Sequence, residues 1–254
     1  MRYFIELSYN GEKYHGWQYQ PNAISLQETI ETALSLLLGD EITIVGCGRT
    51  DAGVHASQYF LHFDVIEKID QEKLKYKLNA FLSNDIAIYN IFLVQNDLHA
   101  RFDAISRSYE YRIYLGKSPF LLNTVWQIQN RNFDIEKMNK AARILYEYEN
   151  FKCFSKSNSD VKTYNCLVSN AEWVKEENYL TFYISANRFL RNMVRAIVGT
   201  LMDVGQHKIS IEGFRKIIEG GDRSEAGASV KAKGLFLTQV VYPKKVLRNY
   251  NDEK

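Results

Sequence analysis

The sequence predicts an α+β protein made of two halves, each a sheet with helices packed against it. Three observations carry that expectation. Segments of strand character alternate with segments of helical periodicity along the chain. Each half supplies strands together with at least two helices, so each can bury one sheet face. The chain has 3 prolines in 254 residues, and no linker rich in Pro, Gly or Ser separates the halves, so they are tightly joined. One sheet running through both is an arrangement their strands allow. The boundaries read as 1–104 and 105–243, followed by a charged tail at 244–254.

In the first half, residues 1–9 alternate like a strand and stop at Asn10-Gly11, a turn pair. The spacing of Leu26, Ile30, Ala33, Leu34 and Leu37 predicts a helix over 26–38. Ser25 and Glu28 form a capping box before it, and Gly39 sits where a helix stops. Residues 42–47 are a short apolar strand, and 56–65 alternate with Tyr59, Leu61, Phe63 and Val65 on one side. A helix at 70–82 and a strand at 86–94 complete this half.

The second half opens on a strand at 107–115, with Tyr109, Tyr111 and Ile113 on one face and Glu110 and Arg112 on the other. Met138, Ala141, Ala142 and Leu145 predict a helix over 134–148. Residues 166–175 and 179–186 read as a hairpin. A strongly apolar helix follows at about 188–203, then a shorter one at 211–219 and a last strand at 235–242.

Composition narrows the function classes. The 32 basic and 30 acidic residues leave a net charge of +2, which still permits a basic cleft. No stretch approaches the roughly 18 apolar residues of a membrane span, and no export signal opens the chain. Three cysteines, Cys47, Cys153 and Cys166, cannot all pair and lack metal spacing, which points to a reducing cytoplasm. The five histidines are scattered, so no metal is expected. No serine sits in a nucleophile elbow.

Three segments could carry chemistry. In Gly46-Cys47-Gly48-Arg49-Thr50-Asp51-Ala52-Gly53-Val54-His55, an apolar strand runs into a glycine-rich loop bearing a carboxylate. Glycines there let the backbone approach a ligand, and a carboxylate so placed can serve as nucleophile or base. The same residues suit a plain turn with Asp51 capping the local backbone, and composition alone favours that turn. The second segment is Asn187–Asp203, read as one helix. At about 100° per residue, Arg188, Arg191 and Arg195 fall on one narrow stripe. Gly199 lies on the same stripe and would leave space above the third arginine. Apolar residues fill the remaining circumference, so the helix is buried and its arginines need anionic partners, or it shows a solvated basic face. The third is Arg101-Phe102 with Arg107-Ser108-Tyr109-Glu110-Tyr111-Arg112, where basic and aromatic residues interleave on a strand. Such a strand suits phosphates and an unpaired base, or simply the strand preference of tyrosine.

The octapeptide Gly48-Arg49-Thr50-Asp51-Ala52-Gly53-Val54-His55 resembles the signature of the TruA family, the tRNA pseudouridine synthases A. Tyr14-His15-Gly16-Trp17-Gln18, His99-Ala100-Arg101-Phe102, Arg107-Ser108-Tyr109-Glu110-Tyr111, Phe189 to Arg195 and Gly234-Leu235-Phe236-Leu237 resemble further family segments, in the right order. The resemblance implies two α+β subdomains joined through a mostly antiparallel central sheet, with a cleft between them. It implies isomerisation of uridine to pseudouridine in the anticodon arm of tRNA, around positions 38 to 40, with neither cofactor nor metal. It also implies a homodimer. Residue by residue, it implies Asp51 as the reacting carboxylate and Arg195 as its ion-pair partner. Tyr109 and Leu235 would pack on the two faces of the target base, and Arg49 would help extract the nucleotide. Arg101, Arg107, Arg188 and Arg191 would meet phosphates.

Overall fold

The computed structural model describes residues 1–157 and 161–243; the charged tail expected from 244 onward lies outside them. The chain divides into two compact units. Among the described residues, one holds 1–106 with 237–243, and the other holds 107–157 with 161–236. The α+β class is as expected: nine strands and five α-helices occur among the described residues.

In unit one, β1 (Arg2–Tyr9) lies antiparallel between β3 (His55–Asp64) and β4 (Ile86–Val94), and the short β2 (Ile44–Gly46) pairs antiparallel with β3. The helix α1 (Leu26–Leu38) starts where the capping box places it: Ser25 Oγ accepts from Glu28 N at 3.2 Å. It stops at Gly39, whose φ of 74° is left-handed, and it buries Leu26, Ile30, Ala33 and Leu34. The helix α2 (Gln71–Phe81) is fastened to β4 by Asn79, whose side-chain amide bonds both the N–H and the carbonyl of Ile88 at 2.8 Å. Both faces of β1 are covered. Glu6 is therefore a buried carboxyl group, and it accepts from Gln58 Nε2 at 2.8 Å and Asn90 Nδ2 at 2.7 Å, as a buried polar group requires.

Unit two carries β5 (Ser106–Leu115), β8 (Tyr179–Ala186) and β7 (Val168–Glu176), adjacent and antiparallel in that order. A strand absent from the sequence reading, β6 (Trp126–Ile128), pairs in parallel with β5. The helix α3 (Ile135–Arg143) is shorter than expected and continues as a tight 3-10 turn at Ile144–Glu147. Its Asn139 bonds both backbone groups of Trp173, repeating the clamp that Asn79 makes in unit one. The remaining helices are α4 (Met193–Gly205) and α5 (Ile211–Gly220).

The start of α4 corrects the sequence reading. Residues 187–192 are not helical. Asn187 accepts from Leu167 N at 2.8 Å through its side chain, and its own N–H bonds Leu167 O. Arg191 O accepts from Lys156 N, and Asn192 takes a left-handed φ of 66° just before the helix. These bonds to distant segments hold the backbone out of helical form. Arg188 and Arg191 therefore share no helical stripe with Arg195. The space expected above Arg195 at Gly199 is also filled: a Cβ there would collide with the carbonyl of Ala228. Of the two readings of this helix, burial fits the structure: every residue from Ala196 to Met202 is buried.

The last strand, β9 (Leu235–Val241), was assigned to the second half from sequence. Its residues from Leu237 onward group instead with unit one. Val240 N donates to Gln58 Oε1 at 3.0 Å, Ile105 N donates to Val241 O at 2.8 Å, and the Tyr242 ring packs edge-on against Phe4 and Phe60.

Candidate active site

In unit one the glycine-rich loop is held from below by one aromatic cluster. Cys47 N bonds Phe60 O at 2.8 Å, continuing the β2–β3 pairing into the loop. The hydroxyl of Tyr59 donates to Gly48 O. Tyr9 and Thr50 share a hydroxyl–hydroxyl bond of 2.9 Å. Trp17 stacks on Tyr59 at 4.0 Å between ring centroids, and its backbone N–H donates to Thr50 O at 3.2 Å. Trp17, Tyr59 and Tyr9 are all buried. The loop thus rests on rigid rings rather than on water.

The segment after β1 interlocks with this loop. Gly53 N bonds Tyr14 O, and Gly11 N bonds His55 Nδ1 at 3.1 Å. Gly16 has φ +91°, and a Cβ on it would stand 2.5 Å from Thr50 O and 3.2 Å from Ala52 N. Only glycine permits both that backbone angle and that approach. Asp51 stands on the turn so built: its carbonyl accepts from Val54 N at 3.1 Å, and its side chain is partly exposed beside the exposed Arg49 and Ala52. A Cβ at Gly48 would meet nothing within 4 Å, so the loop opens on that side. Arg101 lies elsewhere in unit one, in a turn before β5 rather than on a strand; it is exposed beside Phe102.

In unit two, Tyr109 lies on β5 opposite Ile184, partly exposed, with Phe189 edge-on at 5.1 Å. Arg107, two residues earlier, donates to Asn187 O at 2.9 Å. Arg188 reaches Thr163 O at 3.4 Å, and Arg191 is exposed. Arg195 sits in the first turn of α4 and grips Val230 twice: its Nε donates to Val230 O at 2.7 Å, and its own carbonyl accepts from Val230 N at 3.2 Å. The Nε bond orients the guanidinium, and the backbone bond ties Val230 to the start of α4.

The segment 226–234 is bonded to α4, to its N-cap, to Arg223 and to β5 at successive points. Gly227 N donates to Thr200 Oγ1, Ser229 Oγ accepts from Asn192 Nδ2 and Arg223 Nη2, and Tyr111 OH donates to Lys231 O at 2.8 Å. Gly234 packs on the Tyr111 ring, and Leu235 follows it, buried. Burial pushes the Tyr111 phenol well above its usual value, with nearby Arg195 opposing, so Tyr111 is a neutral donor. The sequence reading passed over Tyr111, Asn192, Arg223 and Ser229 as supports. No local pattern marks them, because each acts on residues distant in the chain. Gly16 and Trp17 were visible as a motif, but their grip on the Asp51 loop was not.

Residues 141–243 match the family described as tRNA pseudouridine synthase. Over nearly the whole chain, the tRNA pseudouridine synthase A of Parabacteroides distasonis is 49% identical across 246 residues, covering 96% of this chain and 97% of its own. The chain belongs to the tRNA pseudouridine synthase A family. It is accordingly an isomerase of the pseudouridine synthase class. Like-named proteins of Bacteroides thetaiotaomicron and Clostridium acetobutylicum are 49% and 37% identical, covering 96% and 94% of this chain and 92% and 98% of theirs. For this synthase, the region matched by the family itself takes in α4 and the 226–234 segment; the Asp51 loop lies before it. Among the described residues no helix is long and apolar enough to cross a membrane, and no cluster of His, Cys, Asp or Glu is placed to hold a metal ion.

Proposed function

We propose that this synthase isomerises uridine to pseudouridine in the anticodon stem-loop of tRNA, around positions 38 to 40, with Asp51 as the reacting carboxylate. The observation that carries the reading is the bracing of the Asp51 turn by Trp17, Tyr59, Tyr9 and Gly16. A catalytic group must be held to a fraction of an ångström, and a turn serving only as a connection needs no such support. In the reaction the N1–C1′ bond breaks and a C5–C1′ bond forms. The proton lost at C5 balances the one gained at N1. No electrons and no group leave the nucleoside, so the atom balance calls for neither cofactor nor metal. Asp51 begins the sequence by attack at C6 of the base, by attack at C1′, or by taking a ribose proton.

Arg195 is the candidate ion-pair partner of this carboxylate. The support is its guanidinium, oriented on Val230, since a pre-oriented charge loses little freedom when it pairs. Tyr109 and Leu235 pack on the target base, and Arg49 extracts the nucleotide, offsetting an unstacking cost of a few kcal/mol. Arg101, Arg107, Arg188 and Arg191 contact phosphates. The synthase works as a homodimer in the cytoplasm. The test is Asp51→Asn, followed by carbodiimide labelling of pseudouridine in tRNA. Labelling is expected to drop to background while tRNA binding stays within a few-fold of wild type. Retained labelling would remove Asp51 from the chemistry, and free uracil released by the wild type would mean base excision instead.

A further inference from the structure

The turn at His99–Asp103 is built with more care than a connection needs. His99 Nδ1 accepts from two backbone donors, Arg101 N at 3.1 Å and Phe102 N at 3.3 Å. The backbone N–H of His99 donates to Asp103 Oδ2 at 2.7 Å, and Asp103 N donates back to His99 O. Behind it, the buried His62 on β3 accepts from Ala100 N at 3.0 Å, and Arg2 on β1 donates to Leu98 O at 2.8 Å. Tyr242 OH donates to Ala100 O. The His62, His99 and Phe102 rings follow one another at 4.9 and 4.2 Å. What this framework displays is apolar and basic: Phe102 is 75% exposed, with the Arg101 guanidinium 5.7 Å from its ring centroid. The Phe102 ring packs against His99 yet stays largely exposed beside a guanidinium, a pairing that an unpaired base and its phosphate recognise.

We propose that this turn is a contact site for single-stranded RNA, in which the uncharged His99 ring is the positioning residue that holds Arg101 toward a phosphate and Phe102 toward a base. The proposal rests on the tRNA reading above. Its chemical signature lies in the acceptor. Protonated His99 cannot accept at Nδ1, so the two N–H bonds break and the turn loosens. The groups around the ring are Arg2 from β1, His62 from β3, and Arg101 and Asp103 from the turn itself. Burial first, then Arg2 and Arg101, hold the His99 imidazole below its ordinary range, against the pull of Asp103, so the ring is uncharged at neutral pH. RNA affinity should therefore weaken as pH falls. That is opposite to the general trend, since a protein gains positive charge in acid and binds polyanions more tightly.

The test is filter binding of a tRNA transcript by full-length protein between pH 7.5 and 5.5, with steady-state kinetics at pH 7.5. Wild type should lose affinity toward pH 5.5. His99→Asn keeps an acceptor oxygen in the Nδ1 position and cannot titrate, so it should bind like wild type at pH 7.5 and show no acid loss. His99→Ala should raise KM about tenfold with kcat at saturating tRNA unchanged. Phe102→Ala should raise Kd by a similar factor, the usual loss for one stacked base. An acid loss that persists in His99→Asn, or an unchanged Kd in Phe102→Ala, would overturn the proposal while leaving the tRNA reading intact. A wild type that binds no tRNA at any pH would overturn both.

Discussion

Replacing Gly16 with alanine should slow the reaction without weakening tRNA binding, because its target is the back of the Asp51 turn. The added Cβ would stand 2.5 Å from Thr50 O and 3.2 Å from the Asp51 carbonyl carbon. Ordinary van der Waals contact begins at 3.4 Å, so one of the two segments must give by about 0.9 Å. Trp17 blocks an easy retreat, being stacked on Tyr59 and bonded to Thr50 O. Alanine is also strained at φ +91°. Overpacking costs roughly 1–3 kcal/mol and the backbone strain a comparable amount, so the loss of stability should be about 2–6 kcal/mol. For a chain of this size that lowers Tm by roughly 5–15 °C. A displacement near 1 Å at a reacting group costs up to about 10²-fold in rate. Single-turnover labelling of tRNA should therefore show a fall of roughly 10- to 100-fold, with Kd for tRNA within twofold of wild type. Gly48→Ala is the control: it sits in the same loop, has nothing within 4 Å of a new Cβ, and should leave Tm unchanged. If Gly16→Ala melts and reacts like wild type, or Gly48→Ala is equally unstable, the interlocking of these segments does not position Asp51.

Two further outcomes follow from particular contacts. Gly199→Ala drives a methyl group into the Ala228 carbonyl and must push the 226–230 segment off α4, so thermal melting should show a loss of about 2–4 kcal/mol, and normal stability would contradict the packing seen. Burial, with Arg2 nearby, holds His62 down at about 4 against an ordinary 6.5, so the unfolded chain takes up a proton that the native one refuses. Stability should thus be full above pH 6.5, fall by at most about 1.4 kcal/mol per pH unit below it, and level off under about 4. Urea unfolding across that window should show the slope in wild type and a flatter profile in His62→Asn.

How far the site could be read from the chain depends on where each group finds its partners. The Asp51 loop was legible because its signals are contiguous: an apolar strand, three glycines, and a carboxylate among small residues. The start of α4 was not. Phe189, Leu190 and Met193 keep helical spacing with the residues after them, and nothing local forbids a helix from 188. The bonds that unmake its first turn run to Leu167, Lys156 and Ser229, and pairings at that separation leave no trace in a short window. The apparent arginine stripe went with that turn. Three like charges at helical spacing describe a face only if the backbone is helical throughout.

By itself, then, the sequence determined the alternation of strands and helices, the caps of α1, the α+β class and the family, since each depends on side-chain period, local hydrogen bonding or ordered motifs. Tertiary structure alone decided that Gly16 must be glycine to clear Thr50, that Arg195 is oriented by Val230, that β9 from Leu237 onward belongs with unit one, and that Phe102 is held outward on a histidine acceptor. The physical reason is common to all four. Each depends on the distance between atoms far apart along the chain, and such distances exist only once the chain has folded.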